Sequence, residues 1–79
     1  MKTYKNLVDI QPGTKVCICD ISKVNSIVLR RLIDLGIMEG TEICMKRRSP
    51  FGGPLTLEAN GQSIGIRRNE ASMIEVQFV

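Results

Sequence analysis

The chain has 79 residues, a formal charge of +3, three cysteines and no histidine. A domain of this length buries only about 60% of the surface its unfolded chain exposes, so one economical core is expected and no deep substrate pocket. Without histidine the commonest general base is missing and no Ser or Cys nucleophile has an imidazole partner, so the chain is not expected to be an enzyme.

In chain order, Leu7 and Ile10 sit three apart, the spacing of one helical turn that plugs the end of a barrel. Gln11-Pro12-Gly13 is a turn, because Pro presets φ and Gly tolerates a positive one. From Thr14 to Ile21 the pattern alternates, with Val16 and Ile18 on one face and Cys17 and Cys19 on the other, and this predicts a strand. Asn25 is placed to cap a helix running to Leu35. At 100° per residue Val28, Leu29, Leu32, Ile33 and Leu35 share an apolar arc, while Arg30, Arg31 and Asp34 lie opposite. Gly36 suits the left-handed position that ends a helix, with Ile37 as the apolar contact beyond it. This is the one helix expected.

Met38-Glu39-Gly40 turns into a second strand, Thr41 to Arg48. Two Pro and two Gly exclude regular structure from Ser49 to Pro54. Leu55 to Ala59 and Gln62 to Arg67 form a hairpin through Asn60-Gly61, whose residues accept the positive φ of a two-residue turn. Arg68 to Ser72 reads as a tight turn and Met73 to Val79 as the last strand. Five short strands with one inserted helix lack the crossovers of a parallel sheet. A mainly β, strongly bent five-stranded antiparallel barrel is the expected architecture, over residues 1–79 as a single domain.

No apolar run approaches the roughly 18–20 residues that span a bilayer, and the start of the chain is no secretory signal. Three cysteines without framework spacing suit a reducing, cytoplasmic setting. Lys46-Arg47-Arg48 and Arg67-Arg68 are short basic clusters, and with three aromatics in all no nucleic-acid partner is expected.

Cys17-x-Cys19 with Cys44 is the one metal-like set. Three thiolates on adjacent strands could hold a soft metal with an external fourth ligand. The plainer reading is packing, since free Cys behaves as a small hydrophobe, and no cofactor is assigned. The helix exit carries more information. Ile27 falls on the charged side, and Met38 in the following turn stands near Arg30 and Arg31, a composition common at interfaces. In Ser49-Pro50-Phe51-Gly52-Gly53-Pro54, Phe51 either folds back as a lid on the core or anchors a docking surface. Arg30, Arg31, Met38, Pro50 and Phe51 are therefore the candidate partner-binding residues. A single apolar anchor rimmed by Arg arises only if the helix exit and the loop lie together.

The order of motifs resembles the FeoA family of bacterial ferrous iron uptake. The resemblance rests on Leu7-(x)4-Pro12-Gly13, on Arg31-Leu32-Ile33-Asp34-Leu35-Gly36-Ile37 followed by Gly40, on Arg48-(x)-Pro50-(x)-Gly52-(x)-Pro54, and on Ile66-Arg67-Arg68-(x)-Glu70-Ala71. It covers nearly the whole chain, and departs where the family often has Asp and this chain has Gly53. It implies an SH3-like barrel and an accessory protein that docks on the FeoB permease, whose cytoplasmic part is a GTPase domain. It also implies recruitment to the inner face of the membrane without insertion. The module is similar as well to the SH3-like domain of iron-dependent repressors. A metal-sensing module using Cys17, Cys19 and Cys44, or a regulatory domain of the repressor kind, is the alternative.

Overall fold

A computed structural model describes residues 4–79. Alternating apolar residues build the strands β2 (Lys15–Asp20), β3 (Glu42–Arg48), β4 (Leu55–Ala59), β5 (Gln62–Ile66) and β6 (Glu75–Phe78). A sixth strand, β1 (Lys5–Asn6), precedes them, so the expected count of five is one short. Two residues cannot show a period of two. β1 exists because β6 offers it a partner, with Lys5 opposite Val76 and Asn6 opposite Glu75.

All pairings are antiparallel, in the order β1-β6-β2-β3-β4-β5. Hydrogen bonding thus forms a linear six-stranded sheet with β1 and β5 at its edges. Val16, Ile18, Ile43, Met45, Leu57, Ile66 and Val76 line its inner face and are almost wholly buried. Each such side chain contributes about 1.5–3 kcal/mol on removal from water. The Leu7–Ile10 segment plugs this core as expected. Leu7–Asp9 forms a 3-10 turn, the Val8 N–H donates to the Asn6 side chain at 3.0 Å, and both Leu7 and Ile10 are buried.

The helix α1 (Ser26–Asp34) begins where Asn25 accepts the Val28 N–H at 2.9 Å. It ends at Gly36, whose φ is +80°. There the Gly36 N–H donates to Ile33 (2.9 Å) and the Ile37 N–H to Leu32 (2.8 Å), which satisfies carbonyls that the helix leaves over. Val28 and Leu32 face the core, and buried Ile37 joins Leu32 beyond the cap. The apolar arc is narrower than its sequence suggests. Ile33 lies about 140° around the helix from Val28 at 100° per residue, and it is 45% exposed.

A second helix, α2 (Arg68–Ala71), replaces the expected tight turn. Four residues are too few for a periodic signal. Glu70 makes the difference: it accepts the Arg67 N–H at 3.1 Å and pairs with Arg31 of α1 at 2.8 Å. Partial burial pushes the Glu70 carboxyl up, but the Arg67 N–H and the Arg31 guanidinium outweigh it and hold the group below the ordinary glutamate range.

Two measurements test these ties. Gly36→Ala should cost about 1 kcal/mol or more in urea unfolding, because Ala resists a positive φ; its Cβ would also meet the Asn60 amide at 3.0 Å. A folded pKa below the unfolded one stabilises the protein above the unfolded value, and that part is lost as pH falls through the folded value. The acid-side loss of stability should therefore be smaller in Glu70→Gln than in the parent protein.

Candidate functional site

The basic run of β3 is sorted by one irregularity. Cys44 pairs with Glu58 and Met45 with Leu57, but the register then shifts, so that Arg47 faces Thr56 and Arg48 faces Leu55. Leu55 belongs to the core side, and Arg48 is carried inward with it. Its guanidinium donates to the carbonyls of Val8 and Ile10, closing the end of the core beside the 3-10 turn. Arg47 is left exposed on the outer face. No sequence pattern distinguishes Lys46, Arg47 and Arg48, since an extra residue in a strand leaves no compositional mark.

Next in the chain, the Ser49–Pro54 loop is braced from α2. Arg68 donates from Nε to the Gly53 carbonyl and from Nη2 to the Ser49 carbonyl, both at 2.9 Å. The Ser49 N–H donates to Pro54 (3.1 Å) and the Gly53 N–H to Pro50 (3.1 Å), making a tight turn with Phe51 and Gly52 at its apex. Phe51 has φ +59°, a left-handed conformation that costs a residue bearing a Cβ about 1–2 kcal/mol. Its side chain is fully exposed. It is not a lid on the core, because the turn that Gly52 permits aims it away.

At the other end of β3, Met38 is half-exposed in the turn after α1, where its N–H donates to the Thr41 hydroxyl at 3.0 Å. The strand between them is seven residues long. At about 3.3 Å per residue, that separates the two ends by roughly 20 Å. Met38 and Phe51 therefore do not share one anchor, and the condition for a single Arg-rimmed patch is not met. Arg30 lies on the outer side of α1, 3.8 Å from Asp34. Arg31 is spent on Glu70 and ties α1 to α2. Ile27 is 81% exposed, so the outer side of α1 presents Ile27, Arg30 and Ile33.

The three cysteines are half-buried on the outer side of the sheet. Cys17 stands opposite Glu42 and Gln77, whereas Cys44 stands opposite Lys15 and Glu58. The register of β2 shifts between Ile18 and Asp20, which breaks the alternation at Cys19. The Cys17 and Cys44 thiols lie 3.8 Å from carbonyls of their own strands. Among the described residues no three His, Cys, Asp or Glu side chains are placed to hold a metal ion.

Near the Glu42 end of β3 there is an open depression of about 580 Å³ lined by Cys19, Asp20, Glu39 and Glu75 among others. Hydrogen bonds from the Ser22 hydroxyl and N–H hold Asp20 below the usual carboxylate range. Lys23 reaches Glu75 at 3.8 Å. No sequence pattern marks this acidic end, because its residues come from β2, β6 and the turn before β3.

Among the described residues no helix is long and apolar enough to cross a membrane. No curated protein sequence matches the chain. Its fold is that of a FeoA protein from Chlorobium tepidum, with a TM-score of 0.86 and 32% identity over 100% of this chain and 70% of that one. A FeoA-like protein from Clostridium acetobutylicum is 33% identical with a TM-score of 0.83, covering 100% and 91% of the two chains. A manganese-dependent transcriptional repressor shares the fold at a TM-score of 0.88 and 18% identity, over 100% of this chain and 44% of its own. The mainly β, SH3-like architecture is therefore common to both groups. A family model, the FeoA domain, matches residues 5–78, and the chain belongs to that family.

Proposed function

We propose that the protein is an accessory factor of ferrous iron uptake that docks on the cytoplasmic part of the FeoB permease and modulates transport. The observation that carries this reading is the family match over residues 5–78. The chain's chemistry agrees with it. Ile27, Met38 and Phe51 are exposed apolar side chains, the kind of group that anchors a binding surface. Placement on the cytoplasmic side of the membrane follows from the same reading.

For the protein partner the outer side of α1 is the better surface. Ile27 is an exposed branched aliphatic between charged neighbours, Arg30 is held by Asp34, and Met38 is half-exposed in the turn that follows the helix. An adaptable apolar group bordered by Arg is enriched at interface centres. Arg31 serves this face indirectly, by fixing α1 against α2.

Binding to the purified cytoplasmic part of the permease, with and without guanine nucleotide, tests the proposal. Ile27→Ala with Met38→Ala should weaken it about thirtyfold, the loss expected when a true anchor of about 2 kcal/mol is truncated. Thermal stability should move little, because both side chains are exposed. Unchanged affinity would place the docking surface elsewhere. The combined substitution Cys17→Ser, Cys19→Ser and Cys44→Ser should leave iron uptake largely intact. A collapse of uptake in a folded triple variant would instead favour the metal-handling alternative.

A further inference from the structure

The loop end of the molecule carries more positive charge than its carboxylates neutralise. From Ile43 to Leu57, and again from Ala59 to Asn69, there is no acidic residue. β3 and β5 run in opposite senses to β4, which brings Arg47, Arg48, Arg67 and Arg68 to the end where Phe51 stands. Arg48 and Arg68 donate to neutral carbonyls, so each keeps its full charge. Arg47 and Arg67 are exposed. Among the described residues none of the four guanidiniums lies within ion-pair distance of a carboxylate. Lys46 differs, pairing with Glu58 at 3.4 Å. The acids at this end are Asp9, between the two carbonyls that Arg48 holds, and Glu70, whose carboxylate is paired with Arg31 and lies within the field of Arg67. Asp20, Glu39, Glu42 and Glu75 gather toward the opposite end of β3. The molecule is polarised along that strand.

Phe51 stands at the apex of the basic end, fully exposed and in a left-handed conformation. Its neighbours Gly52 and Gly53 have no side chains to surround it. A protein hot spot is normally ringed by packed contacts that exclude water, and this convex tip provides none. A bilayer surface needs no such ring. Its diffuse negative potential attracts a loose set of cations, and its headgroup boundary receives a single aromatic from any direction.

We infer that the Phe51 tip and the Arg47/Arg48/Arg67/Arg68 end form a site for the anionic surface of a phospholipid bilayer, with Phe51 entering the headgroup region. The site is independent of the permease reading, because it requires only lipid. The acidic end would then face away from the membrane.

The chain has no tryptophan, so Phe51→Trp gives a fluorophore that reports on this position alone. With vesicles in which a third of the phosphatidylcholine is replaced by phosphatidylglycerol, its emission should move to the blue, and added salt should reverse the shift. Pure phosphatidylcholine vesicles should leave it unchanged. Arg47→Gln with Arg67→Gln in the same background should lower vesicle affinity about fivefold for each charge removed. Neither guanidinium is within ion-pair distance of a carboxylate, and Arg67 acts on Glu70 only at longer range, so folding should be little affected. Phe51→Ala should lower vesicle cosedimentation without moving the thermal midpoint. No shift with anionic vesicles overturns the inference, as does an equal shift with neutral ones. A shift seen only when the permease's cytoplasmic part is added, without lipid, also overturns it and makes the tip a protein-docking element.

Discussion

A one-residue shift in the pairing of β3 with β4 decides how the basic end of this protein is built. Before the shift, Ile43 and Met45 point inward; after it, Arg48 does. Without the shift the alternation would turn Arg47 toward the core side. A strand side chain changes face with every residue, so one extra residue exchanges inside for outside over the rest of the strand. The inward Arg48 then supplies donors to the carbonyls of Val8 and Ile10, which the short 3-10 turn cannot satisfy within itself.

Three of the irregular connections are held by arginine. Arg48 holds the first turn, Arg68 holds the Ser49–Pro54 loop by two carbonyls, and Arg31 joins α1 to α2 through Glu70. A guanidinium offers five donors in a planar fork, which suits it to carbonyls whose spacing a sheet ladder does not set. The difference lies in what each one faces. Arg31 meets a carboxylate and its charge is cancelled, whereas Arg48 and Arg68 meet neutral oxygens and keep theirs. Structural bracing and surface potential at the loop end thus come from the same side chains.

This arrangement separates two surfaces that composition alone would merge. The outer side of α1 offers aliphatic groups beside a paired Arg30, and the loop end offers one aromatic amid unneutralised charge. They differ in chemistry and lie on different connections. A factor that meets a membrane permease could use one for the protein and the other for the surrounding lipid, with the rigid sheet fixing the angle between them.

The sequence by itself determined most of the regular structure. The Asn25 cap, the Gly36 stop, the Asn60-Gly61 hairpin and the strand alternation are local rules, each set by a few residues whose backbone preferences agree. Asn60 and Gly61 do take the positive φ their types allow, 54° and 76°. The motifs of Arg31 to Gly40 and of Arg48 to Pro54 also sufficed for the family. Tertiary structure decided the rest. β1 and α2 are too short to be periodic and form only because β6, Glu70 and Arg31 meet them. Whether Ile33 was core or surface depended on how much of α1 the sheet covers. Phe51 could have been lid or anchor until the Pro50–Gly53 turn fixed its direction. Likewise, Met38 and Phe51, 13 positions apart in the chain, were separated in space only once β3 formed as an extended strand between them. In each case the deciding energy lies in contacts between distant segments, and local preference carries no record of those.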